Sequence, residues 1–280
     1  MLQLLSDMFS HGFMTRAFIA GLVLGAAIPL VGVVVVLKRL SMVGDALSHT
    51  SLAGVAAGLI GGINPVAGAT AACMAAALAI EGIRRRFEGR ADLAIAVIMA
   101  TGVGLAGVLS GFTPNSSTFS SFLFGSIVTV GDDELAAVVV LGIAVALLCV
   151  AFRRELFWVA IDERAARLAG VRVTAVNFAF ILVTAIAVSI ASRTVGTLIV
   201  SSMMTVPVAC ALVASRSWKQ TVAISCAVGV ASAAVGLVVS YAFGFKPGGA
   251  IVLTEVALLL AFIAAKALLK RVARRAGLMR

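Results

Sequence analysis

Charge is what this chain has least of. Asp, Glu, Lys and Arg make up 12% of its residues against 62% hydrophobic ones, about half the charge of an ordinary soluble domain, which excludes a water-soluble globule. Cysteine offers no framework either: Cys73, Cys149, Cys210 and Cys226 each stand alone in an apolar segment, with no CxxC pair. That excludes a zinc knuckle and a disulfide scaffold and predicts small buried hydrophobes. The first apolar stretch, Phe13 to Leu37, lacks the small-residue cleavage site of a secretory signal, so a retained span is expected. Long polar segments are missing, and with them any room for a nucleotide-binding domain, so any chemical energy has to come from a partner or an ion gradient.

What remains is a series of apolar runs. A hydrocarbon core about 30 Å thick needs about 20 apolar residues per helix. On that ruler the expectation is an all-α polytopic membrane protein with spans at 13–37, 41–61, 65–83, 92–111, 134–152, 173–191, 195–214, 221–243 and 249–268. The segment 119–130 is apolar but too short to cross and is interrupted by Gly125, which predicts a re-entrant piece shielded by protein. Gly61-Gly62-Ile63-Asn64-Pro65 and residues 112–118 have the Gly, Pro and Asn chemistry of tight turns.

The net charge of +10 sits in short runs between spans, not on one face, so it points to membrane topology and not to nucleic acid. With Lys38-Arg39 in the cytoplasm, the runs Arg84 to Arg86, Arg153 to Arg172, Arg216 to Lys219 and the tail from Lys270 also fall inside. Only Arg16, Arg193 and Lys246 fall outside. The positive-inside rule then places the N-terminus outside and the C-terminus inside, which nine crossings satisfy.

Two ionisable residues interrupt the second run. Asp45 and His49 are four positions apart, so they share one helix face, and His49 lies about 12 Å into the span if the helix begins near Ser41. Ionisable groups at such depth are costly and mark ion pathways, and a carboxylate with an imidazole can bind a divalent metal. The bland readings are an interfacial helix cap for Asp45 and an interhelical hydrogen bond for His49. One helix supplies only two strong ligands, whereas zinc takes three or four. Gly54, Gly58 and Gly62 recur on a second face, roughly 140° from His49, where another helix can approach closely.

Between the fifth and sixth spans, Asp162 and Glu163 suit the start of a short helix, Arg167 its later turn and Gly170 its end. A solvated connector and a docking helix for a cytoplasmic motor both fit this segment. Thr205, just before Pro207, can satisfy backbone that the proline loosens, so hinge and packing readings compete there. For Glu255, about 9 Å into the last span, pairing with Lys246 stands first, ahead of a part in the ion pathway or a wetter surrounding.

The stretch from Lys38-Arg39 through Gly44-Asp45-Ala46-Leu47-Ser48-His49 to Leu52-Ala53-Gly54-Val55 resembles the signature of permease subunits of zinc/manganese ABC importers. Further blocks follow in the order of that family. Phe122-Leu123-Phe124-Gly125 is similar to its mid-chain element, and Asp162, Ala166 and Gly170 to its coupling helix. Val195-Gly196-Thr197-Leu198-Ile199 through Pro207 resembles a later block, and Pro247-Gly248-Gly249 the final outer turn. Where relatives often carry an Asp before that turn, Phe245 and Lys246 stand here.

The resemblance implies about eight membrane helices in a bacterial cytoplasmic membrane and a homodimeric permease. It also implies a separate cytoplasmic ATP-binding subunit and an extracytoplasmic metal-binding protein. The chain itself would carry no enzymatic activity and no cofactor, the metal being cargo. The expected roles are a transient metal site at Asp45 and His49, a coupling helix with Asp162, Glu163, Ala166 and Gly170, and a hinge at Thr205 and Pro207. Thr50-Ser51-Leu52-Ala53-Gly54 looks more like zinc members, which places zinc first and manganese second. A gradient-driven secondary transporter or channel accounts equally well for the composition and for the intramembrane Asp and His. It gives no reason for a docking helix, and no clear internal repeat of the kind many such transporters carry is present.

Overall fold

The computed structural model describes residues 10, 12–87, 90–113, 125, 127 and 130–275. Eleven helices follow one another in them: α1 Gly12–Leu37, α2 Val43–Ile60, α3 Pro65–Arg86, α4 Ala91–Ser110, α5 Asp132–Ala151, α6 Arg153–Ile161, α7 Glu163–Leu168, α8 Val173–Thr194, α9 Thr197–Ala214, α10 Trp218–Phe243 and α11 Pro247–Arg275. Seven of these, all but α2, α6, α7 and α9, are long and apolar enough to cross a membrane. α2 and α9 have 18 residues each, about 27 Å at 1.5 Å per residue, close to the thickness to be spanned. These nine helices match the nine expected spans, and no strand occurs among the described residues. The expected re-entrant piece at 119–130 lies almost wholly outside the described residues.

Local chemistry explains where the helices start and stop. Pro65 opens α3 at a position whose N–H would have no partner, and Asn64 caps it by accepting from the Val66 N–H at 2.9 Å. Gly244, in the left-handed region, closes α10. The connection between the fifth and sixth spans holds one helix more than expected: α6, whose Leu156, Val159 and Ala160 are buried, turns directly into α7. α11 runs past the expected end at 268 to Arg275.

α1 lies at the centre, packed against α10, α5 and α9, while α4, α5 and α11 bury little and form the rim. Close packing comes from small residues. Gly25 of α1 meets Gly229 of α10 so closely that a Cβ on Gly25 would stand 2.6 Å from the Gly229 carbonyl oxygen. Pro29 cannot donate to the Gly25 carbonyl, and Gly229 packs against both that carbonyl and the proline ring. In hydrocarbon, where burial of apolar surface gives no drive between helices, such contacts hold the bundle by dispersion. The cysteines behave as expected: all are unbridged, with Cys73 and Cys210 buried and Cys149 and Cys226 partly so.

Candidate functional site

α2 carries Asp45 and His49 and is held on several sides. On α3, Gly54 backs onto Gly68, and a Cβ there would overlap the Gly68 carbonyl oxygen and stand 2.8 Å from Ala69 Cα. Gly58 packs likewise on Pro65, so the second face expected from the glycine spacing is real for these two residues. Gly62 instead takes φ +65 in the turn beyond. Gly102 of α4 lies against Thr50, and Gly44 faces Met204 and Ser201 of α9.

Asp45 and His49 are both half-buried, one turn apart on the remaining face. Neither makes a hydrogen bond or ion pair with any described residue. Their polar neighbours contrast with them. Thr50 Oγ1 donates to Ala46 O at 2.8 Å, Ser51 is paired with Ser192 at 3.1 Å, Thr70 donates to Val66 O at 2.9 Å, and Cys73 Sγ donates to Leu47 O at 3.3 Å. Ser48, a turn from Asp45, keeps a buried hydroxyl without a partner. The bland interhelical hydrogen bond considered for His49 is therefore not made with any described residue. Among the described residues no group of three or more His, Cys, Asp and Glu side chains could hold a metal.

The segment expected to dock a motor folds as the short helix α7. Asp162 caps it, accepting from the N–H groups of Arg164 (2.8 Å) and Ala165 (3.2 Å). Ala166 is fully buried beside Val159 and Val173, and Gly170, at φ +83, turns the chain out. Leu168 is left 91% exposed, an apolar knob on a charged helix.

Glu163, from the same helix, is tied inward by partners that sequence reasoning did not connect to it. Its Oε1 accepts from Lys38 Nζ at 2.9 Å, Arg84 at 3.1 Å and Asn177 Nδ2 at 3.0 Å. Arg84 in turn forks onto Glu81 at 2.9 and 3.0 Å, and Arg85 adds a third bond to Glu81 at 3.0 Å. Burial by itself would raise the Glu163 pKa, but the charge and hydrogen bond of Lys38, followed by Arg84 and Asn177, bring it below the ordinary carboxyl value. Burial pushes Lys38 below the usual lysine range, partly offset by Glu163. The signal in sequence was there: Glu81 in an apolar helix with Arg84 and Arg85 at i+3 and i+4.

Two other sites read differently in the structure. α9 is helical through Pro207, and the Thr205 hydroxyl donates to Ser201 O at 2.9 Å, not to Met203 O, the carbonyl that the proline leaves open. Glu255 does not pair with Lys246. It is fully buried, reached by the Ser232 hydroxyl at 3.5 Å, with Oε2 unpartnered. The i to i+9 spacing rises about 13 Å along α11, which explains why the expected pair does not form.

A bundle with seven helices long and apolar enough to cross a membrane, a half-buried carboxylate and imidazole without partners among the described residues, and a short helix wired into the bundle define a polytopic membrane transport protein. The ABC 3 transport family model matches residues 10–266, and the chain belongs to that family. It is 33% identical over 258 residues to a probable metal transport system membrane protein of Treponema pallidum, covering 92% of this chain and 97% of that one. It is 29% identical to the manganese import system permease protein ScaB of Streptococcus gordonii, covering 94% and 96%. Its fold superposes on a chain of PsaBC from Streptococcus pneumoniae, solved in complex with Fab, with TM-score 0.83, 28% identity and coverage of 93% and 94%.

Proposed function

We propose that the chain is the membrane-spanning permease subunit of an ATP-binding cassette importer that admits a divalent transition metal to the bacterial cytoplasm. The observation that carries this reading is that Asp45 and His49 pair with no described residue, on a helix where Thr50 and Ser51 both have partners. A side chain kept half-buried and unpaired costs stability and is available as a ligand. Two ligands per chain are too few, so a second copy of the chain, related by a two-fold axis, supplies the matching pair, giving two carboxylates and two imidazoles around one ion. Such a mixed set holds manganese or zinc. Manganese stands first, because relatives such as ScaB are named for manganese import.

The ion binds in transit and has to be released, so chemical energy must alter the site. This chain carries no ATP-binding domain among its described residues. A separate cytoplasmic ATPase docks on α7, with Leu168 as the apolar contact and Asp162, Ala166 and Gly170 shaping the helix. An extracytoplasmic metal-binding protein delivers the ion on the other side, the N-terminus lying outside and the C-terminus inside. Thr205 and Pro207 are the place where α9, which lies against Gly44 of α2, can bend.

The test is uptake into liposomes holding the permease with its ATPase and metal-binding partners. Uptake that requires ATP and the ATPase, with manganese outcompeting zinc, is expected. Uptake that needs no ATPase but collapses with the proton gradient would show a secondary transporter instead. Zinc outcompeting manganese would reverse the order of metals.

A further inference from the structure

We propose that Lys38 is the positioning residue through which α7 sets the pose of the ligand helix α2, a step that rests on the importer reading above. Lys38 follows the last residue of α1, and its side chain is only 6% exposed. Its ammonium reaches two acceptors, Glu163 of α7 at 2.9 Å and Asn177 of α8 at 2.6 Å. Arg84 of α3 reaches the same Glu163 oxygen. A displacement of α7 therefore pulls on three membrane helices, but only Lys38 is joined by a short stiff stretch of backbone to the metal ligands.

That stretch is the elbow 38–42. Lys38 N bonds Val34 O, Arg39 N bonds Val36 O, Leu40 N bonds Val35 O and Val43 N bonds Leu40 O, all between 2.9 and 3.0 Å. Arg39 holds φ +59, a conformation costly for a residue with a side chain and retained because these bonds fix the turn. The elbow thus has little slack, and α2 with Asp45 begins at its far end. α7 does not need Glu163 in order to fold: Asp162 caps it and Ala166 anchors it. Nor does Glu163 lack room to move, because the network borders a cavity of about 850 Å³ that Arg39, Arg164 and Arg167 also line. A buried lysine is an expensive way to hold a loop, and a direct way to carry a force between an exposed helix and a buried one.

The experiment uses the full complex of permease and ATPase and reads metal imported per ATP hydrolysed. Lys38→Met and Glu163→Gln are each expected to lower that ratio about tenfold or more, the scale on which ångström displacements of interacting groups act, while ATP hydrolysis continues. The double variant is expected to be no worse than Lys38→Met alone. Hydrogen exchange on the wild-type complex gives a second reading. Trapping with ATP and vanadate is expected to change exchange at 162–170 and at 38–46 together, and Lys38→Met to abolish the change at 38–46 only. An unchanged ratio in assembled Lys38→Met overturns the proposal. So does wild-type exchange that changes at 162–170 but not at 38–46, which decides the matter even where the variant does not assemble. Failure of the wild-type complex to import metal with ATP overturns the importer reading instead.

Discussion

Replacing Gly54 by alanine adds one methyl group where α2 meets α3. The added carbon would overlap the Gly68 carbonyl oxygen, stand 2.7 Å from Ala72 Cβ and 2.8 Å from Ala69 Cα. Two of these three are backbone atoms, which no side-chain rotation can clear. Carbon atoms rest about 3.5–4.0 Å apart, so α2 and α3 must separate by roughly 0.7–1.2 Å. Overpacking of this kind costs about 1–3 kcal/mol, and the higher helix propensity of alanine returns no more than about 1 kcal/mol. A separation of that size also moves Asp45 and His49 relative to α8 and α9, enough to lower transport by about 10²-fold. Gly82→Ala is the control: it lies on α3, exposed, with nothing within 4 Å of its added carbon, and should leave uptake alone while stabilising by about 0.5–1 kcal/mol. The measurements are the apparent melting temperature in detergent and the initial rate of metal uptake. A Gly54→Ala protein that matches wild type in both would refute the close packing of α2 on α3.

Other outcomes follow from the network around Glu163. Glu81→Ala leaves the half-buried Arg84 with Glu163 alone and should cost about 2–4 kcal/mol, toward the lower part of the range for a broken buried pair because that second acceptor remains; thermal unfolding checks it. Leu168→Asp should leave the melting temperature unchanged yet abolish co-purification of the ATPase, since Leu168 is 91% exposed and contributes nothing to the fold. Because the Glu163 pKa lies below 4.5, its contribution to stability is complete above that value and is lost as pH falls through the lower folded value. The protection of amides 162–170, with exchange corrected for its intrinsic pH dependence, should therefore stay flat from about pH 7.5 to 5.5, and a transition inside that range would contradict the pairing with Lys38.

Span positions were legible because long apolar runs and their basic flanks are statements about the membrane, which every helix shares. The same held for α7, whose Asp162 and Gly170 are local signals, and for the close approach at Gly54 and Gly58, which follows from spacing alone. Pairings across helices were not legible. Nothing in the sequence says that Lys38, Glu81, Arg84, Glu163 and Asn177, drawn from three helices and one elbow, meet at one point, since that depends on how helices rotate and stagger. Glu255 was misassigned because distance along a helix was judged from sequence proximity, and α6 was missed because its charged start blends into the preceding span. The preference for zinc rested partly on the stretch Thr50-Ser51-Leu52-Ala53-Gly54, in which the Thr50 hydroxyl donates to Ala46 O, Gly102 of α4 packs against Thr50 and Gly54 packs on α3.

Manganese binding to the purified permease assembly tests the central claim most directly, read by electron paramagnetic resonance on wild type, Asp45→Ala and His49→Ala. One ion bound per two chains in wild type is predicted, with binding lost in both variants while the melting temperature stays the same. Undiminished binding in both variants would contradict a metal site built from Asp45 and His49.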